Sequence, residues 1–311
     1  MLVGVIGQSF GQNGNFSSLP MFNQMYYNPG YAGDGHDIEA RVLVREQWMQ
    51  FPGAPRTQTF NIDAPFQLFN QSHGVGMSIV NDILGNFSNT ELNISYAYRK
   101  SLIEGELGMG LGLNMISHSF KSEWRVSDGG DGSSDGVIPT NASQRPLLFD
   151  ANIGVYYKTD NLYLSISGKN LFDTKVKYIK AGNSTNIEKQ TLIGKQIYFS
   201  TGYDYQLSNP MFSIKPGVFI ATDFSSTQLS VSGILTYNKR FFGGVSYKYI
   251  DAVTFLAGIS LPSGIHAAVS YDITTSRIIK FSTGSFEFMA GYSFNLDMNK
   301  DNRKYKSVRF L

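Results

Sequence analysis

The most constraining feature of this chain is a strict two-residue alternation near its C-terminus. Phe286, Phe288, Ala290, Tyr292, Phe294 and Leu296 alternate with Glu287, Met289, Gly291, Ser293 and Asn295. Period two is the period of a β-strand, whose successive side chains point to opposite faces. One face is apolar and aromatic, and the other is small or polar except at Met289. A strand of a soluble sandwich alternates as well. Here the pattern persists for about eleven residues, the length that a tilted strand needs to cross a bilayer.

The pattern recurs upstream. Leu92, Ile94, Tyr96 and Tyr98 make one row, and Leu107, Met109, Leu111, Leu113 and Met115 another, set against Glu106, Gly108, Gly110, Gly112 and Asn114. Further rows begin at Ile153, Ile197, Phe212, Leu229, Phe241, Val253 and Ile265. With weaker segments near 38–48, 56–63, 73–82 and 161–168, the total is about fourteen strands. Several rows end in tyrosine, as at Tyr96/Tyr98, Tyr203/Tyr205 and Tyr247/Tyr249. Such rings suit the lipid–water interface, although tyrosine favours strands in any case.

Composition narrows the choice. Only 16% of the 311 residues are charged, against about 25% in soluble domains. Aromatic residues reach 14% and the net charge is +2, which argues against disorder and gives no electrostatic case for nucleic acid. Cysteine is absent, so a disulfide scaffold and a Cys-based metal site are excluded. There is no run of about 20 apolar residues, as a transmembrane helix would need. An all-β transmembrane antiparallel barrel carries its signal in alternation instead.

Loop lengths add a separate argument. If the first strand runs outward, the longest gaps (119–148, 170–194 and 272–284) all fall on odd, external connections. The short turns at 158–161, 208–210 and 262–264 fall on the even, periplasmic side. Outer-membrane barrels sort their loops in this way, and soluble sandwiches have no reason to.

The ends read differently from the middle. Residues 1–11 begin MLVGVIG and resemble the remnant of a signal peptide, without its positive n-region; an ordinary apolar start is the alternative. Residues 12–37 form an irregular head, 38–296 the barrel, and 297–311 a basic periplasmic tail carrying Lys300, Arg303, Lys304, Lys306 and Arg309. The tail is either solvated or a docking peptide, and its VRFL ending, apolar apart from Arg309, leans toward docking. Pro29 and Gly33 stop regular structure in the head. An irregular backbone cannot lie unpaired in lipid, so the head belongs in the periplasm or, as a plug, in the lumen.

Signals for chemistry are sparse. His36, His73, His118 and His266 match no zinc spacing, and no nucleophile-elbow or P-loop pattern occurs. Nothing calls for a cofactor, a metal or an enzyme. The loop containing Asp128, Asp131 and Asp135 could hold calcium but lacks the EF-hand spacing; a solvated loop tip is the plainer reading.

The head carries Met21-Phe22-Asn23 and Asn28-Pro29-Gly30-Tyr31-Ala32-Gly33, followed by Arg45, Gln47, Trp48 and then Gly53-Ala54-Pro55 and Thr57. This succession resembles the N-terminal signature of the PorP/SprF family, type IX secretion system membrane proteins of the Bacteroidetes. Gly30 stands where the family usually has Ala, and Gln50 near a position that is often Gly. The tail, with Arg309 and Phe310, resembles the family's basic, aromatic ending. The resemblance implies an outer-membrane barrel without known catalysis, acting in secretion, gliding and surface anchoring. It implies as partners outer-membrane lipid, secreted cargo or adhesins with a type B C-terminal sorting domain, and periplasmic components including an OmpA-like peptidoglycan-binding protein. On that resemblance, Met21, Phe22, Asn23, Asn28, Pro29, Tyr31, Gly33, Arg45, Gln47, Trp48, Gly53, Ala54, Pro55, Thr57, Arg309 and Phe310 are the candidate partner-binding residues.

Two rival functions stay open. A passive porin or hydrophobic-solute channel would conduct ions and line its constriction with charge, whereas the inward faces read mostly as Gly, Ser, Asn and scattered Glu. An outer-membrane hydrolase would need an acid, a His and a Ser converging from separate strands.

Overall fold

The computed structural model describes residues 16–35, 37–120, 147–172, 175–179, 187–191 and 194–294. The leader at 1–11, the acidic loop at 128–135, His36 and the tail with Arg309 and Phe310 lie outside the described residues. The strands are β1 Ile38–Glu46, β2 Arg56–Leu68, β3 Gln71–Leu84, β4 Phe87–Leu102, β5 Gly105–Phe120, β6 Leu147–Lys158 and β7 Leu162–Lys169. There follow β8 Lys175–Ile179, β9 Ile187–Thr191, β10 Gln196–Tyr203, β11 Tyr205–Gln206, β12 Phe212–Thr222, β13 Thr227–Tyr237, β14 Phe241–Lys248, β15 Ala252–Ser260, β16 Ile265–Thr274 and β17 Ser285–Phe294.

Each barrel strand pairs antiparallel with its sequence neighbours. β1 closes on β17 from Ile38↔Phe294 to Glu46↔Phe286, and β10 reaches across to β12. The two-residue β11 prolongs β10 along β12, so fourteen strands make a closed barrel. Closure removes free edges, which lipid would not tolerate. β8 and β9 pair only with each other, as a hairpin inside the connection from β7 to β10; the sequence pattern showed that connection only as a gap.

Alternation decides the two faces. Leu111, Leu113, Phe149, Ile166, Phe255 and Phe288 point out and are exposed. Asn93, Asn114, Asn152, Thr254 and Ser270 point in and are buried. Tyr96, Tyr203, Tyr237 and Tyr292 ring the end with the short turns, and Tyr247 and Tyr271 the other end. The short-turn end carries connections such as Leu68–Gln71 and Leu102–Gly105. Asn70 at φ 59° fits the left-handed geometry of the first of these turns.

The interior departs from the sequence reading in one respect. It holds Arg45, Arg99, Lys169, Lys248, Asp63, Asp150 and Asp272, all buried, besides the expected small residues and Glu287. These charges lie on the inward faces, opposite the apolar rows that carry the strand signal.

Candidate functional site in the barrel lumen

Residues 16–35 fill much of the lumen. They form a 3-10 turn at Pro20–Phe22, one helical turn at Gln24–Tyr27 and a second 3-10 turn at Pro29–Tyr31. The head starts near the long-loop end, where Ser17 and Ser18 meet the outer parts of β1, β14, β16 and β17. It finishes at the short-turn end, where Asp34 meets β4 and β6.

At the long-loop end the inner wall presents four buried charges. Asp272 binds Arg45 at 2.9 Å and Lys248 at 2.9 Å, and Arg45 also reaches Glu287 at 3.2 Å. Two cations face two carboxylates, so the cluster is neutral as a set. The head completes it. The Ser18 amide donates to Glu287 at 2.6 Å, and the Ser18 hydroxyl donates to Asp272 and accepts from Lys248 at 2.8 Å and from Arg45. The Ser17 hydroxyl donates to Glu287, and the Thr254 hydroxyl gives Asp272 a further bond at 2.7 Å. Removing one member of such a set strands a buried charge, which costs about 3–5 kcal/mol.

Below this cluster, Leu19 is wholly buried among Leu43, Ile234, Leu256, Ala268 and Met289. That accounts for Met289, the apolar exception on the polar face of the last strand. Phe22 packs on Phe242 with ring centres 5.3 Å apart. Further along, Tyr27 wedges between Tyr198 and Phe219 at 4.9 Å from each. The ammonium of Lys169 lies 3.6 Å above the ring of Tyr26 and pairs with Glu91 at 2.7 Å, so a buried cation is met by both a π-face and a carboxylate.

The Asn-Pro-Gly-Tyr motif fastens the middle. The Asn28 side chain accepts from the Gly30 amide at 2.7 Å, capping the turn, and donates to the Val155 carbonyl at 2.9 Å and to Ser165 at 2.8 Å. Gly30 lies directly on the backbone of Gly108, Gly110 and Gly154, and a Cβ on Gly110 would overlap Pro29 and Gly30. Gly33, at φ +68°, lies against Gly74 and donates its amide to Asp63 at 3.0 Å. The alternation of Gly108 and Gly110 with Leu and Met is therefore a furrow for a second backbone. Tyr31 meets Tyr156 edge to face at 5.2 Å and accepts from Arg41 at 3.3 Å. Asp34 then bridges Arg99 and Lys158, each at 2.8 Å.

The candidate partner-binding residues divide by burial. Asn23, Asn28, Pro29, Tyr31, Gly33, Arg45 and Thr57 are buried, where they hold the head or the wall. Asn23 accepts from Asn61 at 2.7 Å, and Thr57 donates to Asp82 at 2.6 Å. Met21 and Phe22 are half-buried. Gln47, Trp48, Gly53, Ala54 and Pro55 belong to a crown above the long-loop end. There the Met49 amide donates to Gly284 at 2.8 Å, Thr283 to Met49 at 3.1 Å and Gly85 to Gly53 at 3.0 Å, so the crown is tied to both neighbouring connections. The residues not identified from sequence are the wall partners: Lys169, Lys248, Asp272, Arg99 and the glycine furrow. For Lys248 and Asp272 the signal was a lone charge between outward apolar neighbours, Tyr247 and Tyr249 for one and Tyr271 and Ile273 for the other; Lys169, between Gly168 and Asn170, and Arg99, beside Lys100, carried no such signal.

The head leaves a cavity of about 540 Å³ at the short-turn end, bounded by Met21, Phe22, Tyr163, Lys215, Ile234 and Phe242. No group of three His, Asp or Glu side chains suited to a metal occurs among the described residues.

Comparison with known proteins follows this geometry. The fold is similar to the CymD monoaromatic hydrocarbon channel, with a TM-score of 0.50 and 12% identity over 93% of this chain and 95% of that one. Acinetobacter baumannii outer membrane protein Omp33 gives a TM-score of 0.48 and 7% identity over 83% and 98%. The P. putida toluene transporter TodX gives 0.45 and 12% over 86% and 92%. No curated protein matches the chain. A family model described as type IX secretion system membrane protein PorP/SprF matches residues 9–292.

Proposed function

The chain belongs to the PorP/SprF family of type IX secretion system membrane proteins, and from that premise we propose that it is a plugged scaffold and not an open pore. It is an outer-membrane β-barrel, and its family and fold are those of a secretion membrane protein and not of a known enzyme class. The observation that carries the scaffold reading is the head itself, which ties opposite walls of the lumen together through buried polar contacts at both ends. About eight strands already close over their own side chains, so a barrel of fourteen needs such a filling.

In this reading the external face, with the crown and the 121–146 and 173–193 connections, holds secreted cargo or an adhesin bearing a type B sorting domain. The periplasmic face, with the basic tail, docks secretion components including an OmpA-like peptidoglycan-binding protein. The motif residues Asn28, Tyr31, Gly33 and Arg45 serve partners indirectly, by keeping the platform rigid. Affinity capture of the protein from outer membranes, read by mass spectrometry, tests this. Recovery of a surface adhesin or periplasmic secretion proteins supports the scaffold, and deletion of residues 121–146 and 173–193 should then release the cargo. Attachment unchanged by that deletion would sink the external half.

A second reading, a passive porin or channel for hydrophobic solutes, draws on the aromatic-walled cavity and on the fold shared with a hydrocarbon channel. It predicts steady conductance or solute flux with the head in place, where the scaffold predicts little of either.

A further inference from the structure

We propose that the connection between β16 and β17, residues 275–284, binds a phosphorylated glycolipid of the outer leaflet, with Arg277 and Lys280 on the phosphates and Ile279 and Phe281 among the acyl chains.

Four observations converge on this loop. It lies at the long-loop end, directly above the outward file of Tyr271, Ile273, Phe286 and Phe288 that faces lipid. Ile279 is 53% exposed and Phe281 66%, so the apolar file continues past the tyrosine that marks the interface. Arg277 and Lys280 are exposed and form no ion pair with a described residue. Of the nearby acidic residues, Glu46 pairs with Arg56 at 2.8 Å and Asp272 is buried in the lumen cluster, while Asp251 meets the loop through its backbone carbonyl. Finally, the loop is pre-shaped. Arg277–Lys280 is a 3-10 turn, in which residues three apart eclipse, so the two cations share a side. Thr275 and Ser276 donate to the Asp251 carbonyl at 2.8 and 3.3 Å, and Tyr271 donates its hydroxyl to Thr283.

A lipid girdle needs only rings, and a solvated loop needs no exposed Ile and Phe. Cations beside apolar side chains, at the level where headgroups begin, fit an anionic lipid. In an outer membrane the outer leaflet supplies such a lipid as a phosphorylated glycolipid, and the proposal commits to that source.

The full-length protein in phosphatidylcholine nanodiscs would be titrated with fluorescent diphosphorylated lipid A, with its dephosphorylated form and with phosphatidylglycerol. Saturable binding of lipid A is expected, with the dephosphorylated form and the R277Q/K280Q variant each about 30-fold weaker, at one surface charge contact per cation. I279S/F281S should weaken both glycolipids alike, and K239Q/R240Q at the short-turn end should change nothing. Heat-dependent gel mobility verifies that each variant is a folded barrel, and the dephosphorylated arm needs no variant. The proposal is overturned if wild type binds neither glycolipid, if removing phosphate or the two charges has no effect, or if phosphatidylglycerol binds equally well.

Discussion

The two sides of the lumen treat the head in opposite ways. Along β2 to β7 the wall is cut to its shape: Gly74, Gly108, Gly110 and Gly154 admit its backbone, and Asp63, Arg99, Ser165 and Ser167 bond it. Along the short-turn halves of β10 and β12 the wall stands off, and a cavity lined by Tyr203, Ser213, Lys215 and Gly217 opens between it and Met21 and Phe22 of the head. Both walls are small and polar in sequence. What separates them is whether a second backbone lies against the strand. A glycine on the filled side is a contact surface for the head, whereas a Cβ on Gly217 in β12, which lines the cavity, would meet only Ser232 and Thr201 of the adjacent strands.

This contrast yields graded expectations. The largest effect belongs to removal of residues 16–35. Planar-bilayer recordings should pass from a closed baseline to discrete open steps; an unchanged baseline would mean that the wall closes without the head. Next, Arg45→Ala should cost about 3–5 kcal/mol, because Asp272 and Glu287 keep their charge in a buried site with one cation fewer. The temperature at which the fast-migrating folded form disappears on gels would show it, and Arg45→Lys should recover part of the loss. Leu19→Ala should cost about 2–5 kcal/mol by leaving a cavity against Met289 and Leu256. Gly110→Ala should cost about 1–3 kcal/mol by driving a methyl into Pro29 and Gly30. The smallest effect is expected across the cavity. Lys215 and Asp204 form a half-exposed pair at 2.9 Å, so Lys215→Gln should change stability by less than about 1 kcal/mol. A large loss there, or none at Gly110, would erase the distinction between the two sides.

Much of the barrel was legible because alternation is a local property. Fourteen strands, their faces, the aromatic rims and the sorting of long connections all follow from side-chain character at spacing two. Less of the site was legible. The head motif was visible as an irregular, aromatic segment with Pro29 and Gly33, but the partners of its residues are remote in sequence. Ser18 meets Asp272 and Asn28 meets Ser165, and no local pattern connects such pairs. The inward charges Lys169 and Lys248 have a reason that exists only once their strands curve around the head.

By itself, the sequence determined that this chain crosses a membrane with strands. Half of each strand must be apolar to face lipid, and few charges remain for the rest. It also determined that residues 12–37 could not be one of those strands, since Pro29 and Gly33 deny them a ladder. Only the tertiary structure decided that residues 16–35 pass through the barrel, that the wall is furrowed for them on one side and hollow on the other, and that four buried charges meet at Ser18. The physical reason is range. Alternation is set between adjacent residues, while a plug depends on contacts between residues up to 270 positions apart that only barrel closure brings together.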